Sequence, residues 1–208
     1  MNSLCQNDLF FTNSLVKANY VLSIPITDAT IISHYLTYRE HFLSSYPNSS
    51  SIQSENLHLT LLTFHLETNL QIEQCITILK RIQEEIHYHC SYPERICLEF
   101  NQIEILNNEY IYLKCQDNIR LENLRQLIIE RFIEQQEKQK ISTQLLLDAK
   151  TDFHPHIILF KNKRKFINFL SNSSHFGKQT INALHLSSIT NNENEQQIHH
   201  CIFKLDLS

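Results

Sequence analysis

Glycine is almost absent from this chain: Gly177 is the only one in 208 residues. A Walker-type phosphate loop and a GxGxxG dinucleotide turn each need several glycines where backbone closes on phosphate, so neither can be built. Any phosphate bound here must be held by side chains. No apolar run is long enough to cross a bilayer, and no membrane partner is expected. The start, MNSLCQNDLFFTNS, lacks the basic region and continuous apolar stretch of a secretory signal. Cys5, Cys75, Cys90, Cys97, Cys115 and Cys201 form no CxxC, and without such a signal they read as reduced, mostly buried thiols. A cytoplasmic address follows, with a nuclear alternative, and the Asn-x-Ser matches at Asn48 and Asn172 are then chance. Positive charge is also short. The formal net charge of -4 argues against a surface built to grip long nucleic acid. It leaves room for a small anionic substrate, because a local site can be positive on an acidic protein.

What is present is a run of short apolar segments alternating with amphipathic ones. YVLSIP at 20–25 reads as a buried strand. Asp28 can cap a helix with Ile31, Ile32, Tyr35, Leu36 and Phe42 on its apolar side, ended by Pro47. Residues 44–56 read as an exposed loop. LHLTLLTFHL at 57–66 reads as a strand, and period 2 places His58, Thr60, Leu62 and Phe64 on one face. Thr68 and Gln71 form a capping box for one helix carrying Ile72, Ile76, Leu79, Ile82 and Ile86. A hairpin of two strands, around Leu98 and Leu113, turns at Asn107-Asn108. A further helix carries Leu121, Leu124, Ile128 and Phe132. FHPHIILFK at 153–161 is a strand with His156, Ile158 and Phe160 on one face. Residues 162–177 read as loop and helix. Strands at 183–190 and 199–207 are joined by a polar turn at 191–197. The hairpins favour an α+β fold with antiparallel pairing over a parallel sheet.

The chemistry sits on two strands close to half a chain length apart. His58-Leu59-Thr60-Leu61 sets an imidazole and a hydroxyl on one face, about 7 Å apart along the backbone. His156-Ile157-Ile158-Leu159 repeats the period without the hydroxyl. Cleaving a phosphodiester needs one proton removed from the attacking oxygen and another given to the leaving oxygen. A neutral and a protonated imidazole on opposite sides of phosphorus supply both without a metal. With 12 histidines in the chain, a single His-apolar-Thr would carry little. Two such strands, one in each half, carry more.

These residues resemble the two-histidine (2H) phosphoesterase superfamily, LigT-like, defined by two His-Φ-Thr/Ser-Φ strands. The similarity is greatest to the branch found in the central domain of a nuclear A-kinase anchoring protein. NYVLSIPIT, LHLTLLTFHL, LENLRQLIIERFIEQ, FHPHIILFK and INALHLSSI carry the resemblance over residues 19–207. It implies a bilobed, pseudo-twofold α+β domain at 19–208 behind an N-terminal extension at 1–18. Two antiparallel sheets would flank a central cleft, with helices outside. It implies that His58 and His156 are the acid–base pair and Thr60 a phosphate-binding hydroxyl. The chain departs from the pattern at Ile158, where the family has Thr or Ser. The function expected is a metal-independent phosphodiesterase acting on a nucleotide or short RNA, through a 2′,5′-oligoadenylate linkage or a 2′,3′-cyclic phosphate end. The alternative is a catalytically weakened nucleotide or RNA-end binding protein.

Phe153, Phe64 and Phe160 could stack a base near the cleft, although plain core packing is the stronger reading for each. The run at 161–165, KNKRK, could be a nuclear localisation signal, face a substrate's outer phosphates, or be a solvated turn. No cofactor is expected. His154 with His156, and His199 with His200, lack a completing Cys or carboxylate at metal-ligand spacing, so no metal is expected either. His65 reads as structural or exposed, and the remaining histidines as ordinary. A monomer without a kinase-anchoring helix is expected.

Overall fold

The computed structural model describes residues 17–106, 109–116, 118–138, 152–162, 173–191 and 197–207. The turn expected at 107–108, the middle of that at 191–197, most of the basic run at 161–165, and nearly all of the 1–18 extension lie outside them. The described elements are β1 (Tyr20–Pro25), α1 (Ala29–Ser45), β2 (Ser49–Ser51), β3 (His58–Phe64), α2 (Asn69–Arg81), α3 (Gln83–Ser91), β4 (Cys97–Leu106), β5 (Tyr110–Cys115), α4 (Ile119–Lys138), β6 (His156–Asn162), β7 (Ser173–Thr180), β8 (Ala183–Asn191) and β9 (Gln197–Asp206). They form an α+β fold of two sheets, ordered β3-β1-β8-β9 and β2-β6-β5-β4-β7. Every pairing between their strands is antiparallel.

Helices cover one face of each sheet. Phe64 of β3 meets Phe132 of α4 with ring centroids 5.3 Å apart. On the second sheet Phe160 of β6 packs against Phe42 of α1 at 4.2 Å. A single apolar cluster runs through both layers. The uncovered faces are the ones that can hold ligand.

Local chemistry fixes the elements. Asp28 caps α1 by accepting from the backbone N–H of Thr30 and Ile31. Thr68 and Gln71 close the expected capping box on α2. Gln179 of β7, 7% exposed, ties the two sheets together. Its Oε1 accepts from Thr27 N at 2.7 Å and Asp28 N at 2.9 Å, and its Nε2 donates to Pro25 O at 2.8 Å. Gly177 lies beneath α1 with φ +137°, where an added Cβ would sit 2.9 Å from Ile31 Cγ1. The single glycine therefore serves the packing of α1 on β7.

Several expectations are corrected. The 44–56 segment is no simple loop: α1 reaches Ser45, β2 pairs with β6, and Ser54–Asn56 form a 3-10 turn. The helix after Thr68 is two helices, broken at Ile82, whose φ −96° and ψ 7° leave the helical region. Of 162–177, Asn162 ends strand β6 and the remaining described residues, 173–177, belong to strand β7, which completes the edge of β4. Leu36 is 38% exposed and lies off the core, while Tyr38 packs inward against Phe160. The described cysteines split, with Cys75, Cys90 and Cys115 buried and Cys97 and Cys201 exposed, none of them in a disulfide.

Candidate active site

The two motif strands share one irregularity. In β3 the register to β1 runs Leu22↔Leu62 and then Ser23↔Thr60, so Leu61 is an extra, bulged residue. In β6 the register to β5 runs Ile111↔Phe160 and then Tyr112↔Ile158, so Leu159 is bulged. A bulge shifts the alternation by one residue. Beyond it Leu62 and Phe64, and Phe160, turn to the helix-covered face, all 0% exposed. The expectation that they share a face with the histidines is therefore wrong, and neither Phe64 nor Phe160 can stack a base. Thr63 and Lys161 take the half-exposed positions instead, on the faces of His58 and His156.

The histidines are anchored alike. Nδ1 of His58 lies 2.7 Å from Asn56 O, and Nδ1 of His156 lies 2.7 Å from His154 O. A carbonyl only accepts, so each Nδ1 carries the hydrogen and each Nε2 is left for a ligand. β3 and β6 are in contact, and the two rings sense each other. Burial holds His58 below the ordinary histidine value; the bond to Asn56 offsets part of this, and charge on His156 lowers it further. Burial lowers His156 in the same way, again partly offset by its backbone bond. Both imidazoles are thus poised to be neutral near pH 7.

Thr60 is half-buried on the face of His58, two residues on. Ile158 occupies the matching place beside His156 and offers no donor. Tyr112 pairs with Ile158 across the sheet and sets its ring edge-on to His156, centroids 5.2 Å apart. Its hydroxyl donates to Glu104, whose carboxylate also lies 3.6 Å from Lys114 Nζ. Phe153 is partly buried, and the Arg125 guanidinium lies 5.0 Å from its ring centroid. Arg125, 6% exposed, also donates from Nε to Leu61 O at 3.0 Å. One cation thus joins the bulge of the first motif to the lead-in of the second.

Sequence reasoning missed His199. A flat sheet would separate β3 from β9 by three strand spacings, about 14 Å. The His199 and His58 ring centroids are instead 4.3 Å apart, so the far part of β9 curls over the face that carries His58. Nδ1 of His199 is enclosed and has no hydrogen-bond partner. Burial first, then charge on His58 and His200, lowers its pKa to about 4. Nothing in its spacing distinguishes it, since the contact depends on sheet curvature. Among the described residues no three His, Cys, Asp or Glu side chains converge to hold a metal ion.

Two antiparallel sheets, a bulged histidine strand in each and helices outside define a LigT-like two-histidine phosphoesterase fold. The chain belongs to the family described as the AKAP7 2′5′ RNA ligase-like domain, whose model matches residues 18–207. Among solved structures, TT0787 of Thermus thermophilus superposes with a TM-score of 0.70 at 11% identity, over 91% of this chain and 97% of that one. Escherichia coli LigT complexed with 3′-AMP gives 0.64 at 13% identity, over 92% and 98%. The MHV ns2 PDE domain gives 0.53 at 12% identity, over 79% and 98%. At such identities the likeness is one of fold. No curated protein matches the chain significantly in sequence.

Proposed function

We propose that this chain is a metal-independent phosphodiesterase that hydrolyses an RNA-type phosphodiester, either a 2′,5′-oligoadenylate linkage or a 2′,3′-cyclic phosphate end. The observation that carries the reading is the matched pair of histidines, each fixed through Nδ1 at 2.7 Å and each followed by a bulge at the same offset. One neutral Nε2 takes the proton from the attacking oxygen. The other ring, protonated, delivers a proton to the leaving oxygen. Burial makes the second proton costly in the free protein, and the negative phosphodiester offsets that cost by favouring an imidazolium beside it. Thr60 donates to a phosphate oxygen. The fold is also that of LigT, seen with 3′-AMP, ATP and phosphate.

The test is hydrolysis of 2′,5′-linked oligoadenylate and of 2′,3′-cyclic nucleotides in EDTA. Turnover should persist without metal and fall roughly 10²–10⁴-fold in His58→Ala and in His156→Ala. Full activity in either variant, or inactivity of the natural chain on both substrates, overturns the reading. Ile158 favours one alternative, a nucleotide or RNA-end binder with little turnover. That protein would bind 3′-AMP in calorimetry and release no product.

A further inference from the structure

We propose that His199 is a third imidazole of the cleft, contacting the substrate's phosphoryl oxygen beside His58 and replacing the hydrogen bond that Ile158 cannot make. The inference rests on the phosphodiesterase reading of the site. The two ring centroids are 4.3 Å apart, so an oxygen bonded to Nε2 of His58 lies within reach of the His199 ring. The nitrogens of His199 are unequal. Nδ1 is sealed in without a partner, which leaves Nε2 to meet a ligand. The titratable groups facing the pair are His156 from β6 and His200 beside it on β9. Burial first, and then the neighbouring imidazoles His58 and His200, keep His199 neutral. An anion at Nε2 favours the tautomer that carries its hydrogen there, so the neutral ring serves as donor to the anion without competing as the acid.

Phosphate in this fold would thus be held unsymmetrically. One side offers Thr60, His58 and His199. The other offers His156 and an aliphatic Ile158. The donor lost from the second motif is regained from a strand outside both motifs.

The geometry distinguishes the two nitrogens by substitution. A glutamine amide sits near the Nε2 position and an asparagine amide near Nδ1. His199→Gln should keep kcat/KM within a few-fold, whereas His199→Phe and His199→Asn should lose about 10- to 100-fold, the scale of one hydrogen bond to a charged group. Adding Ile158→Thr to His199→Phe should restore more activity than Ile158→Thr adds to the natural chain. Circular dichroism melts check that each variant is folded. Equal loss in folded His199→Gln and His199→Phe would mean packing alone and overturns the proposal, as would activity within twofold in His199→Phe. A measurement on the natural chain needs neither turnover nor a variant. Inorganic phosphate titrated into 15N-histidine-labelled protein should move the His199 Nε2 resonance and leave Nδ1 nearly still. A static Nε2 at saturating phosphate overturns the proposal even if hydrolysis is found. A responsive Nε2 in a protein without turnover supports the contact while the enzymatic reading fails.

Discussion

His58 and His156 are held by the same bond, from ring Nδ1 to the carbonyl oxygen two residues upstream, at 2.7 Å in both. Burial is the first cause that lowers the pKa of each. The base must be neutral and the acid protonated, so both limbs of the kcat/KM profile should lie below the ordinary histidine value of about 6.5. The profile on a 2′,3′-cyclic nucleotide should be a bell centred below pH 6.5. A rate that keeps rising to pH 9 would show that no buried imidazole acts as the acid.

Stability should follow the same groups. Burial lowers the folded-state pKa of His58, His156, His185 and His199. The unfolded chain therefore binds protons first as pH falls. The stabilisation is fully present above the unfolded value near 6.5 and is lost as pH drops toward the folded values. Each histidine contributes a slope of up to about 1.4 kcal/mol per pH unit in that window. Urea unfolding at pH 7.5 and at pH 5 should show the loss, and His199→Phe should reduce it. Equal stability at both pH values would contradict the burial of these rings.

Ile158 is the clearest departure within the paired motif. Ile158→Thr would place a hydroxyl on the face of His156, opposite Tyr112, where Thr60 stands beside His58. A hydrogen bond to a charged phosphate is worth about 1.5–3 kcal/mol where no other donor fills the place; with His199 already donating, kcat/KM should rise by less than roughly 10-fold in the natural chain. Ile158→Val, which changes shape without adding a donor, should not raise it. Steady-state kinetics on both substrates compare the two.

Much of this was legible in residue patterns. The alternation in LHLTLLTFHL and HIILFK marks the strands, and Thr68 with Gln71 marks a cap, because strand faces and caps are local properties. The bulges at Leu61 and Leu159 were not legible, since a bulge is a relation to the partner strand and leaves the apolar pattern unchanged. That is why strict period 2 sets Phe64 and Phe160 on the histidine faces, although core packing, the stronger reading of each, is what the structure shows. The break at Ile82 was hidden because apolar residues keep helical spacing across it. His199 was invisible for a stronger reason: its contact with His58 arises from curvature summed over four strands.

Arg125 links the two motifs by its bond to Leu61 O and its place over Phe153. In Arg125→Leu the buried carbonyl of the bulge loses its donor, which costs about 1–3 kcal/mol. The bulge aims Thr60 and His58, so the variant should lower kcat as well as Tm. Lysine has no Nε–H at the same distance along the chain and no planar face for Phe153, so Arg125→Lys should not rescue either. Thermal unfolding and kinetics on the same samples separate the effects. A lowered Tm with unchanged kcat would make Arg125 a support for the core alone.

Gly177 offers the sharpest test of the packing. Its φ of +137° is one that L side chains rarely adopt, and a Cβ would meet Ile31 Cγ1 at 2.9 Å. Strained backbone of this kind costs roughly 1–3 kcal/mol, and the crowding of α1 adds to it. Gly177→Ala should therefore destabilise the chain by at least that amount. Ile31→Ala in the same chain removes the crowding but not the strain, so the double variant should lose less than the two single losses combined. Denaturant unfolding of the three variants measures the coupling. Strict additivity would show that α1 shifts freely over β7 and that Gly177 is not what sets its distance.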